Sequence, residues 1–267
     1  MFVCSIIWNS AEALILSLIA LAVIIPFFLF NKFPSKVFPG DVGTLSIGTM
    51  IACIALFGSL EVVVFCAMLI HVFNSLYVIY SLRGFFESST IQENKSDIIL
   101  LEDDSIKASY KKDAALTLPR LILAQGPLKE LELVKNFYAI SFICGFFSLI
   151  ALLFIKWTLN QIDIVIPIIA ILILLVPTVI LLIKFPRIRG VITLMITLLL
   201  ASIAFLILIE ILIMPINYPD INLIIISIPV NILFSFILYF PILVFWYYIT
   251  IKYFWTVINR MKEQEMN

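Results

Sequence analysis

Seven apolar runs, at about 10–30, 43–57, 60–82, 137–155, 163–184, 191–213 and 222–249, alternate with short polar connections and one long one. A bilayer core of about 30 Å takes roughly 20 apolar residues in an α-helix, so each run predicts a membrane span. The second run is short, and Gly58-Ser59 makes it a tight hairpin with the third. The last stays apolar and aromatic through Trp246, Tyr247 and Tyr248 to Trp255, the pattern of a tilted helix ending in an interfacial aromatic belt. The pattern therefore predicts an all-α fold, a polytopic transmembrane helical bundle of about seven helices with one long loop.

That loop, 83–135, changes character along its length. Residues 87–113 mix Ser, Lys, Glu and Asp with little periodicity and read as mobile. After them Leu116, Leu118, Leu121, Ile122, Leu128, Leu131 and Leu133 suggest a short amphipathic piece lying on the bilayer surface, interrupted at Gly126-Pro127.

Composition adds the class of protein. With 63% hydrophobic residues in 267 and a mean hydropathy of +1.19, the chain is an integral membrane protein by composition. Basic and acidic residues balance at 17 each, which leaves no electrostatic footprint for nucleic acid. Cys4, Cys53, Cys66 and Cys144 are widely spaced and form neither a metal pattern nor a disulfide framework. The first residues lack the basic region and small-residue cleavage site of a signal peptide, so the first apolar run reads as a retained helix. Placing the 31–42 connection in the cytoplasm puts 16 of the 17 basic residues, all but Lys156, inside or at the inner edge. It also places the N-terminus outside, as expected when an odd number of helices precedes this segment in a larger protein.

Chemistry is most concentrated at 31–48, where NKFPSKVFPGDVGTLSIG joins two apolar runs. Pro34, Pro39 and the Gly40-Asp41 pair stop one helix, and the next starts near Asp41 or Thr44. Asp41 admits two readings. It is an N-cap, favoured by the helix dipole, or it is a ligand of magnesium, a hard cation that keeps water and substrate oxygens. Lys32 and Lys36 lie close enough in sequence to meet phosphate, and also suit snorkelling at a membrane edge.

Asn31, then Pro34-Ser35-Lys36-Val37-Phe38-Pro39-Gly40-Asp41-Val42-Gly43 and a small-residue apolar helix, resembles the glycosyltransferase family 4 type of membrane enzyme. That family moves a sugar 1-phosphate from a UDP-sugar onto a polyprenyl phosphate. It includes the phospho-MurNAc-pentapeptide transferase and the UDP-GlcNAc:dolichyl-phosphate GlcNAc-1-phosphotransferase. Residues 72–77 (VFNSLY), 116–118 (LTL) and 126–130 (GPLKE) are similar to the dolichyl branch, so the resemblance covers about half the chain in order.

The resemblance implies that 1–155 is the C-terminal part of the transferase core and 156–267 an additional three-helix region. By its pattern Asp41 matches the magnesium-binding aspartate (Mn²⁺ as an alternative), and Phe38 the aromatic that stacks on uracil. Lys36 and Arg83 become catalytic candidates, while Asn31, Gly40 and Arg120 become substrate-binding ones; Lys129 and Arg120 are alternatives to the Arg- or His-rich stretch of relatives, where this chain offers only Arg83. The implied substrates are UDP-GlcNAc and a dolichyl-type polyprenyl phosphate, at the cytoplasmic face of a plasma or endoplasmic-reticulum-type membrane. Members also carry upstream helices with an Asp-Asp pair and an Asn-rich loop. The Asp-Asp pair here, Asp103-Asp104, falls after the third helix instead. The chain therefore reads as one half of a split enzyme with a partner subunit, a homodimer, a truncated member, or a non-catalytic scaffold.

A small transporter is the weaker alternative, since Pro26, Pro167, Pro177, Pro229 and Pro241 lie within spans but no inverted repeat is evident. His71, with Asn74 a turn later, reads as a neutral imidazole bonded to a neighbouring helix, against a proton relay. Glu12, Glu61 and Glu210 sit near outer helix ends and carry no expected chemistry, and Asp163 and Asp220 mark outer turns.

Overall fold

The computed structural model describes residues 1–84, 96–111, 113–212, 221–222, 227–228 and 230–266. Among them, five helices are long and apolar enough to cross a membrane, or six when one bent pair counts as a single span. The fold is all-α and polytopic, as the hydropathy pattern predicts.

Short α1 (Phe2–Trp8) is followed by α2 (Ala11–Asn31), α3 (Gly40–Gly58), α4 (Glu61–Ala67) and α5 (Leu69–Leu82). The third apolar run is thus two helices, bent by 69° at Met68. The Met68 carbonyl accepts from both His71 N (2.9 Å) and Val72 N (3.1 Å), the mark of a chain restarting its ladder. His71 is exposed on α5, and its carbonyl accepts from Ser75 Oγ at 3.0 Å.

The long loop holds more order than its composition predicts. Strands β1 (Ile98–Leu100) and β2 (Ser105–Ala108) pair antiparallel, with Ile99 opposite Lys107. Asp103 Oδ1 accepts from Ser105 N (3.2 Å) and Ser105 Oγ (2.6 Å), and Asp104 takes a left-handed φ of 58°. The Asp103-Asp104 pair therefore builds a hairpin turn. Of the expected mobile stretch, 87–95 and 112 lie outside the described residues. Helix α6 (Leu118–Leu123) follows, capped by Thr117 Oγ1 accepting from Arg120 N (3.3 Å), with Pro119 in its first turn. Leu118, Leu121, Ile122 and Leu123 are buried inside the protein. For these four residues the expectation of a surface-lying piece is corrected, because they are buried within the protein itself. β3 (Leu128–Lys129) completes a sheet of order β1-β2-β3.

Next come α7 (Glu130–Thr158), α8 (Val165–Lys184), a 3₁₀ turn (Pro186–Ile188) and α9 (Arg189–Leu212). After α9, β4 (Ile221–Asn222) pairs antiparallel with β5 (Ser227–Ile228), and α10 (Val230–Met266) closes the chain. Within α10, the described stretch Tyr239–Arg260 is long and apolar enough to cross a membrane. Its aromatics do not form only an interfacial belt. Trp246, Thr250, Ile251, Phe254 and Ile258 are buried at helical spacing, so these positions form the inward face of α10.

Packing groups the chain into two units, residues 1–75 with 129–185 and residues 76–128 with 186–267. In the first unit, Cys4, Ala13, Ala20, Ile54, Leu60, Val63 and Leu152 form one buried cluster. Gly58 lets α3 approach α2, since a Cβ there would lie 2.5 Å from the Cβ of Ala13. Small polar groups add directional contacts: the Ser5 and Ser17 hydroxyls lie 3.1 Å apart, and Lys156 Nζ donates to the Ile7 carbonyl at 2.8 Å. In the second unit, Trp246 Nε1 donates to the Leu194 carbonyl (2.8 Å), Tyr77 stacks on Tyr247 (5.9 Å, 2°), and Tyr253 covers Gly190 so closely that no Cβ fits.

Candidate functional site

The connection between α2 and α3 is built from its own main chain. Lys32 N donates to the Phe28 carbonyl and Lys36 N to that of Phe30, both at 2.8 Å, so the chain folds back over the last turn of α2. Asn31 Nδ2 (2.9 Å) and Ser35 Oγ (3.0 Å) both donate to the Val37 carbonyl. Asn31, expected to bind substrate, thus uses its amide N–H to tie the loop to the helix end.

Pro39 occupies the N-cap of α3 in the helical region (φ −66°, ψ −28°) and makes no side-chain cap bond. Gly40 follows with φ +56°, where a side chain is strained. A Cβ on Gly43 would lie 2.8 Å from the Cβ of Pro39, so the Gly-Asp-x-Gly pattern has a steric reason at both glycines. Asp41 lies inside the first turn of α3 with its residue exposed and does not cap the helix, which removes the N-cap reading. Its position favours a negative charge next to the unbonded N–H groups of the turn. Thr44 Oγ1 donates to the carbonyls of Gly40 (3.0 Å) and Asp41 (3.1 Å), fixing the turn from the other side.

The loop presents Lys32, Lys36, Phe38 and Asp41 as exposed residues, with Phe38 80% exposed. It therefore offers one carboxylate, two ammonium groups and one flat ring on a tied backbone. Among the described residues no three His, Cys, Asp or Glu side chains converge as metal ligands. The donor set at Asp41 is a single hard oxygen ligand, which fits an ion such as Mg²⁺ that takes one or two carboxylates and fills its remaining positions with water and phosphate oxygens.

The remaining candidates belong to other parts of the structure. Lys129 is exposed at the N-cap of α7, in the first unit. Arg83 lies in the second unit just past α5, exposed, with a left-handed φ of 58°. Gly84 N donates to the Ile79 carbonyl at 3.2 Å, so Arg83 occupies the helix-ending position usually filled by glycine.

Arg120, also in the second unit, is fully buried. Its Nε donates to the Ser109 carbonyl (2.8 Å), Nη1 to those of Ala114 (2.7 Å) and Ala115 (3.3 Å), and Nη2 to that of Lys111 (2.7 Å). Burial lowers its pKa, and the nearby Asp97 carboxylate opposes that shift. Asp97 in turn accepts a hydrogen bond from the Thr117 hydroxyl. This geometry gives Arg120 a structural role in place of the expected phosphate contact, because the guanidinium is turned inward onto main chain. The clamp was missed from the sequence; its one local sign is Thr117-Leu118-Pro119, a cap followed by an early proline.

Residues 1–59 match the family model described as glycosyl transferase family 4, and that stretch contains the whole loop. The chain is 33% identical over 117 residues to a protein of Methanocaldococcus jannaschii named as a glycosyltransferase, covering 44% of this chain and 36% of that one. It is 28% identical over 123 residues to a Saccharolobus solfataricus protein named as a UDP-N-acetylglucosamine–dolichyl-phosphate N-acetylglucosaminephosphotransferase, covering 46% and 34%. It is 35% identical over 77 residues to the phospho-N-acetylmuramoyl-pentapeptide-transferase of Streptococcus uberis, covering 29% and 23%. The chain thus spans about a third or less of the length of these curated relatives. No solved structure matches it. Residues 1–59, which build α1, α2, the tied loop and α3, are thus the part of the chain that is similar to glycosyl transferase family 4.

Proposed function

We propose that this chain supplies part of a membrane active site that transfers GlcNAc 1-phosphate from UDP-GlcNAc to a dolichyl-type polyprenyl phosphate. The lipid phosphate oxygen attacks the β-phosphorus, the bond to the α-phosphate bridging oxygen breaks, and UMP leaves. The product is the first lipid-linked sugar for protein N-glycosylation, made at the cytoplasmic face of the membrane. The observation that carries this reading is the tied 31–41 loop, which presents Asp41, Lys36 and Phe38 together on one rigid turn.

In this reading Phe38 stacks on the uracil ring, which a freely exposed aromatic can do without rearranging a core. Lys36, with Lys32 beside it, meets the negative charge of the diphosphate. Gly40 keeps the backbone bare at the approach to the phosphates, and Asn31 holds the loop in place. Asp41 would hold Mg²⁺, or Mn²⁺ in its stead. When bound, such an ion neutralises charge on the diphosphate, the main need of phosphoryl transfer.

The test is formation of lipid-linked sugar from radiolabelled UDP-GlcNAc, dolichyl phosphate and Mg²⁺ in membranes holding this chain, alone and with a candidate subunit carrying the Asp-Asp loop. Product that disappears with Asp41→Asn supports the reading. A second reading, a non-catalytic membrane subunit on the same scaffold, is favoured by the inward-turned Arg120, which leaves fewer cations for phosphate. Absence of product from both preparations would select it.

A further inference from the structure

An open cavity of about 430 Å³ lies at the connection between α7 and α8, lined by Trp157, Asn160, Gln161, Ile162, Asp163 and Ile164. The turn around it is well determined by its hydrogen bonds. Asn160 takes a left-handed φ of 56° and donates its N–H to the Trp157 carbonyl at 2.8 Å, and Gln161 N donates to the Lys156 carbonyl at 3.0 Å. The Trp157 ring packs edge-on against Phe154, at 6.1 Å and 86°, which sets its plane. Asp163 Oδ1 accepts from Val165 N at 3.3 Å, so one carboxylate oxygen holds the first N–H of α8. Lys156, the basic residue closest in sequence, instead donates to the Ile7 carbonyl. Among the described residues, Asp163 makes no ion pair within the chain.

We propose that this cavity binds an organic ammonium group, held between the Trp157 ring and the Asp163 carboxylate. An aromatic face and a carboxylate both attract a cation, and the Asn160 and Gln161 amides supply oxygen acceptors for its N–H groups. Anions are disfavoured by the same carboxylate. Two sources share this chemistry: the amino headgroup of a membrane lipid and a free amine in water. The lipid source follows from the position of the cavity between two helices long enough to span a bilayer, where tryptophan is at home. The site is independent of the 31–41 loop. Lys156 ties this end of α7 to α1, ahead of α2, whereas the loop follows α2, whose 21 residues span about 30 Å.

The experiment uses the full chain reconstituted in vesicles of equal parts phosphatidylethanolamine and phosphatidylglycerol, with retained lipid read by native mass spectrometry. The expected result is about tenfold preferential retention of phosphatidylethanolamine. Asp163→Asn, which keeps an oxygen acceptor for Val165 N but loses the charge, and Trp157→Leu should each bring retention toward parity, and Asp163→Glu should preserve the preference. A parallel titration of the detergent-solubilised chain with ethanolamine hydrochloride identifies the source. Binding there that is lost in Asp163→Asn, with no lipid preference, assigns the cavity to a free amine. The proposal is overturned if the native chain shows neither lipid preference nor ethanolamine binding, or if Asp163→Asn and Trp157→Leu both behave as the native chain does.

Discussion

Loop 31–41 and segment 97–123 are both polar connections beside apolar helices, yet they use their charged residues in opposite ways. The first ties itself together through amide, hydroxyl and main-chain groups, leaving Lys36 and Asp41 exposed. The second ties itself together through its charge: the Arg120 guanidinium replaces a missing ladder by holding four carbonyls at once. A cation in a loop beside a membrane helix is therefore a chemical tool only where something else carries the architecture.

Four substitutions sharpen or break this contrast. Arg120→Ala should have the largest effect, a loss of about 3–5 kcal/mol, because it takes the guanidinium away from the carbonyls of buried Ser109, Ala114 and Ala115. Thermal unfolding in detergent measures it, and unchanged stability with weaker UDP-sugar binding would return Arg120 to the phosphates. Asp41→Asn should do the reverse, lowering transfer about 100-fold or more while stability stays within about 0.5 kcal/mol. Gly43→Ala should cost about 1–3 kcal/mol by pushing a Cβ into Pro39, and activity should fall with the folded fraction. The smallest effect is expected for Arg83→Gly, which relieves a left-handed residue and should stabilise by about 1 kcal/mol. If that variant also loses transfer activity, Arg83 acts on substrate as well as ending α5.

The parts legible in the sequence are those where one residue type leaves the backbone little choice. Pro34, Pro39 and the Gly40-Asp41 pair announced a turn and a helix start, and both are found within a few residues of the expected place. Long apolar runs announced α2, α3, α7 and α8 for the same reason: length and hydropathy suffice. The break at Met68 was not legible, since no proline or glycine marks it and both halves are equally apolar. Nor was the β1–β2 hairpin, whose strands of three and four residues sit among charges and gain stability from pairing rather than from periodicity. Arg120 shows the limit for sites. Its charge can be read from the sequence, but its burial depends on Ser109, Lys111, Ala114 and Ala115 folding around it.

The bond from Lys156 to Ile7 joins residues 149 positions apart. During synthesis at about 5–20 residues per second, the first short helix waits roughly 7–30 s before its lysine partner exists. Until then Cys4 and Ser5, both buried in the finished protein, have no seventh helix to cover them. Assembly of the amino-terminal bundle is consequently a late event, completed by an element made after the entire sheet-bearing loop has left the ribosome.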